Sequence, residues 1–122
     1  MIITFATQKG GTGKTTLAIA FANYISAISE RNINVFDFDY QKSFYQKWKE
    51  DEELDLPKLY DVETIGEEVE QPFSDFETIL DLKDNDDINL FDLAGTLDAK
   101  YSDLLIYSDF IIIPFEYSDV SA

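Results

Sequence analysis

The chain has 122 residues, 45% hydrophobic and 15% aromatic, with nine basic side chains against twenty-five acidic ones and a net charge of −16. This size and apolar content suit one domain with one core and argue against disorder. The charge argues against any broad surface for nucleic acid or anionic membrane. Cys and His are absent, which excludes disulfides, iron–sulfur clusters, thiolate or imidazole metal sites and Cys or His nucleophiles. Any metal must be held by oxygen, which points to Mg²⁺ or Ca²⁺. The N-terminal residues lack the basic and long apolar regions of a signal peptide, and no run approaches about 18 apolar residues, so a cytoplasmic location is expected.

Ile2 to Thr7 is a short β-rich run, continuously apolar enough to be buried on both faces as in a parallel sheet. Past Gly10, Gly11 and Gly13 the period changes. From Lys14 a helix is predicted, with Leu17, Phe21, Ile25 and Ile28 on one face and alanines between them. It stops at Glu30-Arg31-Asn32, and Ile33 to Phe38 is a second strand. Ser43 to Glu50 is predicted helical, followed by an acidic segment from Glu50 to Asp55. Leu56 to Val62 reads as a third strand at the sheet edge, where Pro57 is tolerated. Thr64 to Gln71 reads as an acidic loop or weak helix. Pro72 to Lys83 is predicted helical, with Phe73, Phe76, Ile79 and Leu80 on one face. A turn at Lys83 to Asp87 leads into a strand from Ile88 to Leu93. A helix over Asp98 to Tyr107 and an apolar strand over Phe110 to Phe115 complete the order. Alternation of strand and helix at this spacing implies right-handed crossovers, a parallel sheet and an α/β fold.

Lys9-Gly10-Gly11-Thr12-Gly13-Lys14-Thr15-Thr16 lies between the first predicted strand and the first predicted helix, the setting a phosphate-binding loop requires. Glycines let successive backbone N–H groups turn into one concavity. The helix adds the partial positive charge of its N-terminus. Lys14 can reach β- and γ-phosphates, and the Thr15 hydroxyl can ligate Mg²⁺. Chance occurrence of Lys-Gly-Gly-x-Gly-Lys-Thr is on the order of one in ten million positions, so an incidental glycine turn is the weaker reading.

Two carboxylate stations accompany the loop. Phe36-Asp37-Phe38-Asp39-Tyr40-Gln41 closes the second strand, at the end of the sheet where ligand sites of open α/β folds gather. Ile88-Asn89-Leu90-Phe91-Asp92 is an apolar strand ending in one acid, as suits the Mg²⁺-water ligand of a phosphate site. Asp92-Leu93-Ala94-Gly95 also has the spacing at which a glycine N–H can meet a γ-phosphate.

The loop has Gln8 where the common form has its first glycine, and it carries the extra Lys9. In this it resembles the deviant loop of the ParA/MinD group of P-loop ATPases. Asp37-x-Asp39-x-Gln41 is similar to the Asp-x-Asp-x-Gln of that group, with Tyr40 in place of its usual proline. Asp92-Leu93-Ala94-Gly95 stands where the group more often has Asp-Thr-Pro-Pro. Ser108 to Pro114 resembles its segment of small residue, Asp, apolar strand and proline.

The resemblance implies a three-layer P-loop NTPase fold, α/β, with a mainly parallel sheet of about five strands flanked by helices. It implies a single nucleotide-binding domain over residues 1–122, truncated at the C-terminus relative to group members, which usually continue for about another hundred residues. It implies ATP and Mg²⁺ as cofactors, although the residues themselves leave ATP and GTP open. Gly10, Gly11, Thr12, Gly13, Lys14, Thr15, Thr16 and Gly95 would contact the nucleotide. Thr15, Asp37 and Asp92 would serve the metal, and Lys9, Lys14 and Asp39 would act in catalysis. Lys9 would reach across a nucleotide-sandwiched homodimer, and Asp39 would orient the attacking water. An activating partner protein is also implied, and no nucleic-acid or membrane surface is evident. Two other readings stand beside hydrolysis: a nucleotide-binding or assembly module with little turnover, and a fragment whose site is inactive.

Overall fold

In the computed structural model, residues 1–6, 13–39, 41–64, 76–93 and 101–114 are described. Strand β1 (Ile2–Phe5) leads to helix α1 (Lys14–Ile28), β2 (Ile33–Phe38), α2 (Ser43–Glu53) and β3 (Asp61–Thr64). Helix α3 (Phe76–Asp84), β4 (Ile88–Leu93), α4 (Ser102–Tyr107) and β5 (Phe110–Ile112) follow. The five strands form one sheet in the order β3-β2-β4-β1-β5, and every pairing is parallel. A parallel sheet needs helical crossovers on its faces, which is why the central strands carry apolar side chains on both sides.

The alternation along each strand divides the core in two. Ile3 and Phe5, Val35 and Ile33, and Ile88 and Leu90 join Ala18, Ala22 and Phe44 under α1 and α2. Ile2, Phe38, Phe91 and Leu93 face the other way, against Ile79 of α3 and Leu104 of α4. Phe36 and Phe91 stack across this second layer with ring centroids 4.7 Å apart. Buried Asn89 is satisfied there, donating from Nδ2 to the Leu82 carbonyl at 3.0 Å.

The crossover leaving β1 runs through α1 toward β2. The one leaving β4 runs through α4 toward β5, on the opposite face. β1 and β4 are neighbours, so connections part in opposite directions between them. This is the crevice where open α/β sheets take ligands.

Some boundaries differ from the predicted ones. The third strand is Asp61–Thr64 rather than Leu56 to Val62, and Pro57 lies in the loop before it. Tyr60 anchors that loop by accepting the Trp48 indole N–H on its carbonyl at 2.9 Å. Helix α2 runs on to Glu53 through the acidic segment, because Lys47 pairs with Asp51 at 3.0 Å and Lys49 with Glu52 at 3.4 Å on its surface. In α1 the sheet-facing positions are Ala18 and Ala22, with Phe21 and Ile25 beside them. Leu17 and Ile28 are 43% and 63% exposed. β5 ends at Ile112, short of the predicted Phe115, which lies outside the described residues. So do residues 65–75, which hold the start of the predicted Pro72 to Lys83 helix, and residues 98–100 at the start of the predicted Asp98 helix.

Among the described residues no helix is long and apolar enough to cross a membrane.

Candidate functional site

The C-terminal ends of β1, β2 and β4 bring the chemistry-bearing side chains together. Strand register places Asp92 opposite Phe5 on one side and Asp37 on the other. Parity along β2 and β4 sends both acids to the α1 face, beneath the first turn of that helix. α1 begins after Gly13, whose φ of 77° is left-handed. No neighbouring atom crowds a Cβ there, so the backbone angle itself is what favours glycine. Gly13 offers no side-chain cap, and the first turn of α1 contains no acid. The positive end of a 15-residue helix is therefore left without a built-in anion, the arrangement that suits a bound phosphate.

Lys14 and Asp92 are 5% and 1% exposed. The Lys14 ammonium donates to one Asp92 carboxylate oxygen and lies 3.4 Å from Asp39 Oδ2. The Thr15 hydroxyl donates to the other Asp92 oxygen at 2.9 Å. Burial pushes the Asp92 carboxyl above its ordinary value, opposed by Lys14 and by the Thr15 hydrogen bond. Burial also pushes Asp37 up, from 3.8 to about 6, opposed by N–H groups of Tyr45 and Asp39 and reinforced by the Asp92 charge. Two carboxylates crowded side by side and one lysine make a pocket short of positive charge.

Asp37 and Asp39 organise the exit of β2. Asp37 Oδ1 accepts the Asp39 N–H at 3.1 Å and its Oδ2 accepts the Tyr45 N–H at 2.9 Å. Asp39 Oδ1 accepts the Gln41 N–H at 3.0 Å, and the Asp39 carbonyl accepts the Lys42 N–H at 3.0 Å. This leaves Asp39 Oδ2 turned toward Lys14.

The structure thus gathers Gly13, Lys14, Thr15, Asp37, Asp39 and Asp92 of the predicted site. Thr16 sits exposed in the first turn of α1. Lys9, Gly10, Gly11, Thr12 and Gly95 lie outside the described residues. Sequence reasoning missed Tyr45, whose backbone N–H holds Asp37. The signal was Lys42, a side chain that cannot accept a hydrogen bond standing where a helix cap is needed.

A family model described as the CobQ/CobB/MinD/ParA nucleotide binding domain matches residues 3–118. The chain belongs to this family. Among solved structures, the CobQ/CobB/MinD/ParA domain seen here is similar to pNOB8 ParA, solved bound to nonspecific DNA, with a TM-score of 0.70 at 19% identity. The likeness covers 97% of this chain and 54% of that one, so this chain spans about half the length of the ParA it matches. At that identity the likeness establishes the α/β fold. No curated protein matches the chain.

The donor set of this nucleotide-binding domain fits a hard cation. Thr15 and Asp92 offer hydroxyl and carboxylate oxygens 2.9 Å apart, and the neighbouring Asp37 carboxylate has both oxygens engaged by backbone N–H groups. Among the described residues no three acidic side chains gather into a cage of their own. A cation here would take its remaining ligands from phosphate oxygens and water, as Mg²⁺ does.

Proposed function

We propose that this domain binds ATP with Mg²⁺ at the ends of β1, β2 and β4 and hydrolyses it, as a ParA-like partition or positioning ATPase that works as a nucleotide-sandwich dimer. The observation that carries the reading is the convergence of Lys14, Thr15, Asp39 and Asp92 beneath an uncapped helix N-terminus. Gly10, Gly11, Thr12, Gly13, Thr16 and Gly95 would line the phosphates with backbone N–H groups, and Lys14 would exchange its carboxylate partners for the β- and γ-phosphates. Thr15 and Asp92 would hold Mg²⁺, Asp92 directly or through water, with Asp37 beside them. Bound Mg²⁺ would offset triphosphate charge and fix its terminal oxygens. Asp39 would orient water in line with the leaving group, and Lys9 would reach the partner protomer's nucleotide. An activating protein and a cytoplasmic setting belong to the same reading.

Titration and single-turnover assays of the 122-residue chain test it. Lys14→Ala is expected to abolish ATP binding. Asp39→Ala should keep binding and slow phosphate release by about 100-fold or more. Equal loss of binding in both variants would refute the separate roles. A second reading, a nucleotide-binding or assembly module with little turnover, draws on the match to a nucleotide binding domain alone. Binding without stoichiometric phosphate release in the wild type would favour it.

A further inference from the structure

Helix α2 starts badly by its own sequence. Its cap position is Lys42, held at φ 53° with no side-chain hydrogen bond to the helix. Lysine has donors only, whereas a helix start needs an acceptor for the N–H groups of its first turn. Tyr45 is the third residue of α2, and its N–H has no carbonyl within the helix to reach. Asp37 supplies that acceptor from five residues before the cap, at 2.9 Å. With its second oxygen Asp37 binds the Asp39 N–H at 3.1 Å. Both oxygens therefore serve backbone donors, whereas those of Asp92 face Lys14 and Thr15. One carboxylate ties the end of β2, the Asp39 turn and the start of α2 into a single unit. Asp39 Oδ1 is spent inside that turn on the Gln41 N–H, so the turn decides where Oδ2 points.

The geometry points to Asp37 as a positioning residue that caps α2 from a distance and so aims the Asp39 carboxylate, rather than as a ligand of the metal. The inference rests on the role given to Asp39 above. Removing Asp37's acceptors frees the turn, and displacement of Asp39 by even about 1 Å costs on the order of 100-fold in rate.

The first test uses the wild-type protein without nucleotide. Amide hydrogen exchange by NMR should show the Tyr45 and Asp39 N–H groups protected by about 100-fold or more over free-peptide rates. Exchange at free-peptide rates overturns the proposal. In Asp37→Asn both amides should lose about tenfold or more of that protection, while β1 and β4 amides keep theirs. Unchanged protection in a folded variant also overturns it. In turnover, Asp37→Asn should lower kcat about tenfold or more with KM for Mg·ATP within about twofold. In an Asp39→Ala background it should lower kcat less than about twofold further, since the two act through one group. A metal-ligand role would instead raise the Mg²⁺ concentration needed for half-maximal nucleotide binding by about tenfold in that same background, and that result would sink the inference. A wild type with no phosphate release defeats the ATPase reading alone, and the amide measurements then decide for or against Asp37.

Discussion

Lys14 is where the proposed phosphate recognition and folding stability meet. Its ammonium is the counter-charge to Asp92 in a place neither side chain shares with solvent. Breaking a buried pair by deleting one partner strands the other charge, at a cost of about 3 kcal/mol. Lys14→Ala should therefore melt earlier as well as lose ATP, and the loss of stability should shrink at acidic pH as Asp92 takes up a proton. A melting temperature equal to wild type at pH 8 would mean that the pair contributes nothing. Asp37 gives a second pH signature with a definite sign. Its folded-state pKa of about 6 lies above the ordinary 3.8, so the folded form holds this proton more tightly than the unfolded chain. The corresponding stability is fully present below about pH 3.8 and is lost as pH rises through 6, an amount on the order of 2 kcal/mol. The wild-type stability minus that of Asp37→Asn should therefore fall by that amount between pH 4 and pH 8. Urea unfolding across the range checks it, and a flat difference would show that burial does not tune this acid.

At the element scale, α1 approaches the sheet on alanine. Ala18 and Ala22 lie against Ile3, Phe5, Val35 and Leu90, and Ala22 is wholly buried. Small side chains bring the helix axis close, and this holds Lys14 and Thr15 over Asp92. Ala22→Leu should cost about 2 kcal/mol through overpacking and weaken ATP binding by lifting the N-terminus of α1. Ile28→Ala, on the exposed side, should change stability by less than about 0.5 kcal/mol. The reverse ranking in thermal melts would put the larger residues on the buried face. The 17–21–25–28 spacing gives a helix correctly and finds Phe21 and Ile25 at the edge of the core, but it misses Ala18 and Ala22 and includes the exposed Leu17 and Ile28, because hydrophobic size stands out in sequence while closeness of approach does not. β1, β2 and β4 were legible because each is an apolar run buried on both faces and followed by a turn or an acid. For β3 the edge position was legible and the bounds were not: Asp-Val-Glu-Thr has one apolar residue, Val62, and gains its place by pairing with β2, whereas Leu56 and Leu59 before it stay exposed. In the site, Lys14, Thr15 and Asp92 were legible from residue type and spacing, and Asp37 and Asp39 through the resemblance to the Asp-x-Asp-x-Gln of the ParA/MinD group. The capping bond that the Tyr45 N–H donates to Asp37 was not: Lys42 signals that α2 lacks a cap of its own, but not which acid supplies the acceptor.

Across the whole molecule the decisive quantity is charge. Two copies closing around nucleotide, as proposed, would each carry −16, so their approach would be opposed by a long-range repulsion that lysines at the phosphates would offset only locally. Screening acts on exactly this kind of force: the Debye length shrinks from about 30 Å at 10 mM salt to about 8 Å at 150 mM. Short-range contacts between lysine and phosphate lose less, because they form within a few ångströms and with water excluded. The ATP-dependent dimer proposed here should therefore tighten when NaCl is raised from 10 to 150 mM. Association with DNA, where counterion release dominates, would weaken over the same range. Light scattering or sedimentation of the Asp39→Ala variant with Mg·ATP, in which the bound state persists, reads the dimer constant directly. A dimer that loosens with salt would mean that opposite charges dominate the interface and that the acidic surface lies away from it. No dimer at any salt would leave Lys9 without the partner nucleotide that the resemblance to ParA/MinD ATPases implies for it.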